Sequence, residues 1–294
     1  MKKIKKILAT MLALACVLTA FPTMEAKAAT VTVTGGHTTR ADAYTWSTYS
    51  EYNSIIVELP EKEKDFWVKF TLPKDSKVYA SCTYNSENEG MYVETVNSGG
   101  VSLDKKVSPE DVINIGTVYA FMAVACDNTT SSTQTFYIHA NRGTSSGMIH
   151  FTLSIKERIK TGKGTFSFNG TASNPGNSPF SSSGVNSSEL TLDLTNNTEI
   201  PNKAIVTSVT TSGTQSPNQG NVHHMICPYT KPSIWYTSTL SSATKGRYTI
   251  ANNIDAKQVW KFKYNALATA KSTMKNVTLT LEWEYDLKNT DYQY

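Results

Sequence analysis

The sequence predicts an all-β protein: two tandem antiparallel, jelly-roll-like β-sandwiches after a cleaved leader. Three observations carry this. Apolar residues recur with period two in short runs, clusters of Gly, Asn, Ser, Thr and Pro separate those runs, and helical periodicity is nearly absent. The single stretch able to open a helix is "SPEDVINI", Ser108 to Ile115, with its Ser-Pro start and early acids.

The chain opens with a basic "MKKIKK" and an apolar run from Ile7 to Phe21, followed by Ala26-Lys27-Ala28. That is the pattern of a secretory signal peptide over residues 1–28, cleaved after Ala28. The run is short for a bilayer span, which needs about 20 residues. Cys16 lies midway along it, and Ala13 stands where a lipobox carries leucine, so ordinary secretion is preferred to lipidation. No second long apolar run follows, and no stable membrane insertion is expected after cleavage.

From residue 29 onward, strands are expected near "SIIVELP", "FWVKFTLP", "KVYASCTY", "MYVETVN", "VYAFMAVAC", "TFYIHAN" and "MIHFTLSIK". A second series runs through "GTFSFNG", "ELTLDLTN", "AIVTSVTT", "SIWYTST", "RYTIANN", "VWKFKYN" and "VTLTLEWEYD". Alternation assigns faces: Val78, Ala80, Cys82 and Tyr84 share one, and Val277, Leu279, Leu281, Trp283 and Tyr285 share another. Two sandwiches fit the length, one over 29–157 and one over 165–294, with the polar basic run 158–164 as linker.

Charge narrows the function. The whole formal +4 resides in the leader, leaving 23 basic and 23 acidic residues after it. Nucleic-acid binding, which needs a clustered basic surface, loses its global support. Residues 29–157 carry 10 basic and 15 acidic side chains, and residues 158–294 carry 13 and 8. Composition drift on solvated faces accounts for this split more simply than attraction between the halves or to an anionic surface.

The first half resembles the bacterial pre-peptidase C-terminal domain over roughly residues 51–156. The match rests on Asp65, Phe66, Trp67, Phe70, Leu72 and Pro73, and on the late "GTVYAFMAV" from Gly116. The resemblance implies a jelly-roll-like sandwich, of the kind attached to secreted enzymes, that binds substrate or cell surface rather than catalysing. It brings no catalytic residues, and the peptidase that usually accompanies it is not legible here. The second half is left without a family.

Several patterns bear on chemistry. In "NVHHMICPY" His223 and His224 point to opposite faces of a strand, while His223 and Cys227 lie about 13 Å apart on one face. Neither arrangement supplies the three or four convergent ligands a zinc needs, so no metal or other cofactor is expected. "GTSSG", Gly143 to Gly147, matches G-x-S-x-G with Ser145 as nucleophile, flanked by His139 and His150 across a hairpin. That motif acts only at a strand-to-helix elbow, and here a turn is the simpler reading. Glu87/Glu89 and Glu282/Glu284 read as solvated charge. Cys82 and Cys126 each end a strand and form a candidate disulfide, leaving Cys227 over.

Aromatics are the positive signal. Tyr44, Trp46, Tyr49 and Tyr52 stand in a Ser/Thr-rich stretch, and Tyr229, Trp235 and Tyr236 gather beside two prolines. Such rings combine apolar area with hydrogen bonding and suit sugar or peptide recognition, although capping of sandwich cores is as common. The resulting expectation is a secreted, non-catalytic module, extracellular or loosely attached to the cell surface, binding a glycan or protein through Tyr44, Trp46, Tyr49, Tyr229, Trp235 and Tyr236. The alternatives are a secreted hydrolase at Ser145 or His223/His224, and a structural assembly component.

Overall fold

The computed structural model describes residues 30–47, 53–115, 118–229, 234–250 and 253–292. The expected leader and Tyr49 and Tyr52 lie outside them. Among the described residues no helix is long and apolar enough to cross a membrane.

The first sandwich contains eleven strands: β1 (Thr30–Thr34), β2 (Tyr44–Thr45), β3 (Ser54–Leu59), β4 (Asp65–Leu72), β5 (Lys77–Asn85), β6 (Tyr92–Asn97), β7 (Ser102–Val107), β8 (Asn114–Ile115), β9 (Tyr119–Asp127), β10 (Gln134–Asn141) and β11 (Ile149–Glu157). One sheet has the order β1-β3-β11-β5-β9-β8 and the other β2-β4-β10-β6-β7. Pairing is antiparallel except where β1 joins β3 and β2 joins β4 in parallel. The alternation acts as the sequence implies: Phe66, Val68, Phe70 and Leu72 of β4 point inward against Val57, Leu59, Leu153 and Ile155 of the facing sheet, all buried.

Ten further strands build the second sandwich: β12 (Ile159–Ser167), β13 (Ala172–Asn174), β14 (Val185–Asn186), β15 (Leu190–Asp193), β16 (Ile205–Ser216), β17 (Val222–Pro228), β18 (Tyr236–Thr237), β19 (Lys245–Arg247), β20 (Val259–Ala266) and β21 (Ser272–Asp286). Its sheets run β12-β21-β16-β19, with β13 on β21, and β14-β20-β17-β18, with β15 on β20. Val277, Leu279, Leu281 and Trp283 of β21 meet Trp260, Phe262 and Tyr264 of β20 in a second core. A short 3-10 helix, Leu287–Thr290, follows β21.

Three expectations are corrected. Ser108 to Ile115 forms no helix: Asp111 turns back on Val107, its amide donating to the Val107 carbonyl and its carboxylate accepting from the Val107 amide, and the chain enters β8. The run 158–164 is not a loose linker, because from Ile159 it is β12, an edge strand paired with β21. Cys82 and Cys126 do not bond. Cys82 stands opposite Met122 and Cys126 opposite Val78, four positions along the same ladder and so about 13 Å away. Both thiols are buried, and burial pushes each well above its ordinary range.

The sandwiches meet at Arg158, whose side chain is 4% exposed. Its Nη1 lies 2.7 Å from Asp127 at the end of β9, and its Nε lies 2.8 Å from Asp286 at the end of β21. Its backbone amide donates to Lys77 and its carbonyl accepts from Leu287. Beside it Leu287 and Tyr292 dock on Tyr79 and Ala123 of the first sandwich, with the two tyrosine rings 4.9 Å apart. This explains why β5 is buried on both faces.

His224 sits in the second core, fully buried, edge-on to Phe262 at 5.2 Å. Its Nδ1 is 2.8 Å from the Thr211 hydroxyl, which is 2.7 Å from that of Tyr248. Burial depresses its pKa to about 4, partly opposed by the Ala243 backbone.

Two tests follow. Replacing Arg158 by Ala strands two partly exposed carboxylates and should cost about 2–4 kcal/mol. Calorimetry is expected to resolve the sandwiches into separate transitions, and an unchanged single transition would count against Arg158 as the joint. For His224, the unfolded chain takes up the proton near pH 6.5 and the folded chain near pH 4, so stability falls on acidification through that window, by up to about 3 kcal/mol. Urea unfolding of wild type and His224→Gln from pH 7.5 to 4 should show the stability gap between them narrowing as pH falls; a pH-independent gap would refute the assignment.

Candidate recognition face on the first sandwich

The outward positions of β4 alternate with its core residues, so Asp65, Trp67 and Lys69 face away from the core. Register carries them into a row: Trp67 on β4 stands opposite His139 on β10, His139 opposite Glu94 on β6, and Glu94 opposite Lys105 on β7. A neighbouring row holds Asp65, Asn141 and Tyr92, and on the other side Lys69 pairs with Tyr137. Four strands distant in sequence thus assemble one surface.

His139 is its centre, 7% exposed. Its Nδ1 lies 2.8 Å from Glu94 Oε1 and its Nε2 lies 2.8 Å from Asp65 Oδ1. Both ring nitrogens thus lie within hydrogen-bond distance of a carboxylate oxygen. Trp67 stacks on the ring, 4.0 Å between centroids and 8° between planes, and Tyr92 meets it edge-on at 5.3 Å. Ring stacking and the two carboxylate contacts therefore converge on His139 and fix the orientation of Trp67.

The carboxylates are held in turn. Asn141 donates to Asp65 at 2.7 Å, and the Ser102 hydroxyl donates to Glu94 Oε2 at 2.6 Å. Burial alone would raise the Glu94 carboxyl. The hydrogen bonds from Ser102 and His139, with the charges of His139 and Lys105, outweigh it and hold the group below its usual range. Lys105 Nζ lies 3.7 Å over the Tyr92 ring, and the Arg40 guanidinium lies 5.8 Å from the centre of Tyr137. A cleft of about 350 Å³ opens between Trp67, Arg40, Glu94 and the turn at Gly99, Gly100 and Ser102. Gly100 has φ +86°, and a Cβ there would strike Arg40. Glycine thus meets both the conformation and the close approach.

The residues expected at the site fare differently. Trp46, read as a ligand-facing ring, is 8% exposed and packs in the first core, because its amide pairs with Lys69 and turns the ring inward. Tyr44 packs half-buried against that core. Tyr236, in β18, packs half-buried against the second core. Tyr229 is exposed, and Trp235 is half-buried with Lys263 Nζ 3.9 Å over its ring. The two aromatic groups lie on different sandwiches.

The hydrolase alternative has no assembled geometry. His139 and His150 are not hairpin neighbours, since β10 and β11 belong to different sheets. His150 is exposed and pairs with Glu58 at 3.9 Å, and both nitrogens of His139 are engaged. Ser145 lies in the turn after β10, where the buried Arg142 binds the carbonyls of Ser145, Gly147, Pro60 and Glu63. His223 Nδ1 meets the Ser238 carbonyl at 3.1 Å while His224 faces the core. Among the described residues no three His, Cys, Asp or Glu side chains are placed to hold a metal ion.

Removing the central ring should be costly. His139→Ala leaves Asp65 and Glu94 facing each other without the shared imidazole, and a loss of about 2–4 kcal/mol is expected in urea unfolding. Adding Glu94→Gln should restore part of it by removing one of the opposed charges. Strictly additive losses in the double variant would contradict the bridging role.

No protein-family model matches the chain. Among solved structures, the pre-peptidase C-terminal domain of a collagenase from Bacillus anthracis aligns with 39% of this chain and 94% of its own, at 11% identity and a TM-score of 0.28. A carbohydrate-binding module of Caldicellulosiruptor saccharolyticus, solved with mannohexaose, aligns with 35% of this chain and 72% of its own, at 11% identity and a TM-score of 0.23. In sequence the chain is 41% identical over 241 residues to the uncharacterized protein YbdN of Bacillus subtilis (strain 168), covering 81% of this chain and 82% of that protein. At that identity and coverage, the chain belongs to the YbdN family.

Proposed function

We propose that this protein is a secreted, non-catalytic recognition module. It would act outside the cell or loosely attached to its surface, binding an extracellular glycan or protein. The observation that carries the reading is the outward row Trp67–His139–Glu94–Lys105, with Tyr92 and Tyr137 beside it. A half-exposed indole is held rigid from beneath, with polar and charged groups at fixed positions around it and an open cleft alongside. Binding loses least entropy when the contact groups are already ordered, and here packing and ion pairs order them before any ligand arrives. The site is thus a sheet face rather than a loop cluster. The engagement of both His139 nitrogens favours recognition over acid–base chemistry, because a general base needs a free nitrogen.

The test is binding of the chain from Ala29 to Tyr294 to arrayed glycans, peptidoglycan and extracellular proteins, beside Trp67→Ala and Trp46→Ala. Trp67→Ala should keep its fold and weaken binding at least about tenfold. Trp46→Ala should instead lower stability by about 3–5 kcal/mol, as a core ring does. Saturable binding that survives in a folded Trp67→Ala protein would move the site elsewhere.

A further inference from the structure

We infer that the ligand of this face is an anionic, hydroxyl-rich polymer: a glycan bearing carboxylate or phosphate groups. The inference rests on the reading of the face as a recognition surface and adds its charge selectivity. Arg40, Lys69 and Lys105 surround the Trp67–His139 stack, Arg40 against Tyr137, Lys69 paired with Tyr137, and Lys105 against Tyr92. Among the described residues none of the three forms a salt bridge. The face has two carboxylates, Asp65 and Glu94, and both are committed to His139. The face thus carries three lysine or arginine side chains against two carboxylates that share His139.

This excess runs against its surroundings. Residues 29–157 hold 15 acidic side chains and 10 basic ones, so a randomly placed patch there would be negative. Two of the three cations lie against aromatic rings, Arg40 on Tyr137 and Lys105 on Tyr92, and Lys69 stands opposite Tyr137. An aromatic ring holds the Arg40 and Lys105 groups over the sheet without removing their charge. Trp67 lines the cleft and offers apolar area for the C–H face of a sugar, while Glu94 and Ser102 line the same cleft and bring polar oxygens for its hydroxyls. The anionic group would then lie against Arg40, which lines the cleft, with Lys69 and Lys105 flanking. A plain polyanion would use the cations but not the indole, and a neutral glycan the indole but not the cations.

The experiment is isothermal titration of the chain from Ala29 to Tyr294 with four probes. They are an oligouronate, a sugar–phosphate polymer, a neutral oligosaccharide of matched length and a single-stranded oligonucleotide of matched charge. Each is run at low and high salt, with Trp67→Ala and the double variant Arg40→Gln/Lys105→Gln, and folding is checked by near-ultraviolet circular dichroism. The expected result is binding of the oligouronate or the sugar–phosphate polymer, weakening as salt rises. The double variant should lose that preference at least about tenfold, and Trp67→Ala should lose binding altogether. Whichever anionic probe binds identifies the group. If the neutral probe binds as tightly and the double variant is unaffected, charge selectivity is overturned while the recognition face stands. Equal binding of the oligonucleotide would overturn the glycan assignment, leaving charge alone as the determinant. If no probe binds, or a folded Trp67→Ala protein binds as wild type does, the recognition face fails and this inference with it.

Discussion

Arg158 between Asp127 and Asp286 is the interaction on which the arrangement of the whole molecule depends. Each sandwich has its own core, and the apolar contact between them is a small cluster, Leu287 and Tyr292 on Tyr79 and Ala123. The guanidinium ties the two together because its planar fork lies within ion-pair distance of two carboxylates, one from each sandwich, beside Leu287, Tyr79 and Tyr292. Desolvating three charges is expensive, and an apolar joint of equal volume would be no less stable. What the ion pairs add is direction. A greasy contact tolerates sliding, whereas a bidentate arginine does not.

The same device recurs where geometry matters. His139 spans Asp65 and Glu94 as Arg158 spans Asp127 and Asp286, and Arg142 gathers four backbone carbonyls at the turn between β10 and β11. In each case a side chain with several fixed nitrogens ties segments that are remote in sequence. The cores supply most of the burial, and these three side chains supply the registration of what lies outside them. His224 is the contrasting case. It has a hydroxyl partner and no carboxylate, so burial keeps it neutral and it serves the core.

Much of the fold was legible because its information is local. Phe66, Val68, Phe70 and Leu72, or Val277 through Trp283, declare a buried face by spacing alone. β7 was not legible, since "SLDKKV" is charged and weakly alternating and becomes a strand by pairing with β6. The run after Arg158 read as a linker because it is polar and basic, yet an edge strand accommodates such residues on its solvent side. Ser108 to Ile115 misled because helix-start residues also close a single turn through Asp111.

The two tryptophans show why the site was harder than the fold. Trp46 stands among serines and threonines and reads as a ligand-facing ring, while Trp67 stands in "FWVKFTLP" and enters only through the family resemblance. The structure buries Trp46 and leaves Trp67 half-buried on the outer face of β4. For Trp67 the missing signal was present: it is out of phase with Phe66, Val68 and Phe70, so if they are inside it is outside. A large aromatic ring at an outward parity position, flanked there by Asp65 and Lys69, has no core to fill and must be covered by something. Here His139 and Tyr137 cover it in part, and the rest borders an open cleft. No local pattern could have added His139, Glu94 and Lys105, because register among β4, β10, β6 and β7 brings them together. Parity finds the residue that needs a partner; only the assembled sheet supplies it.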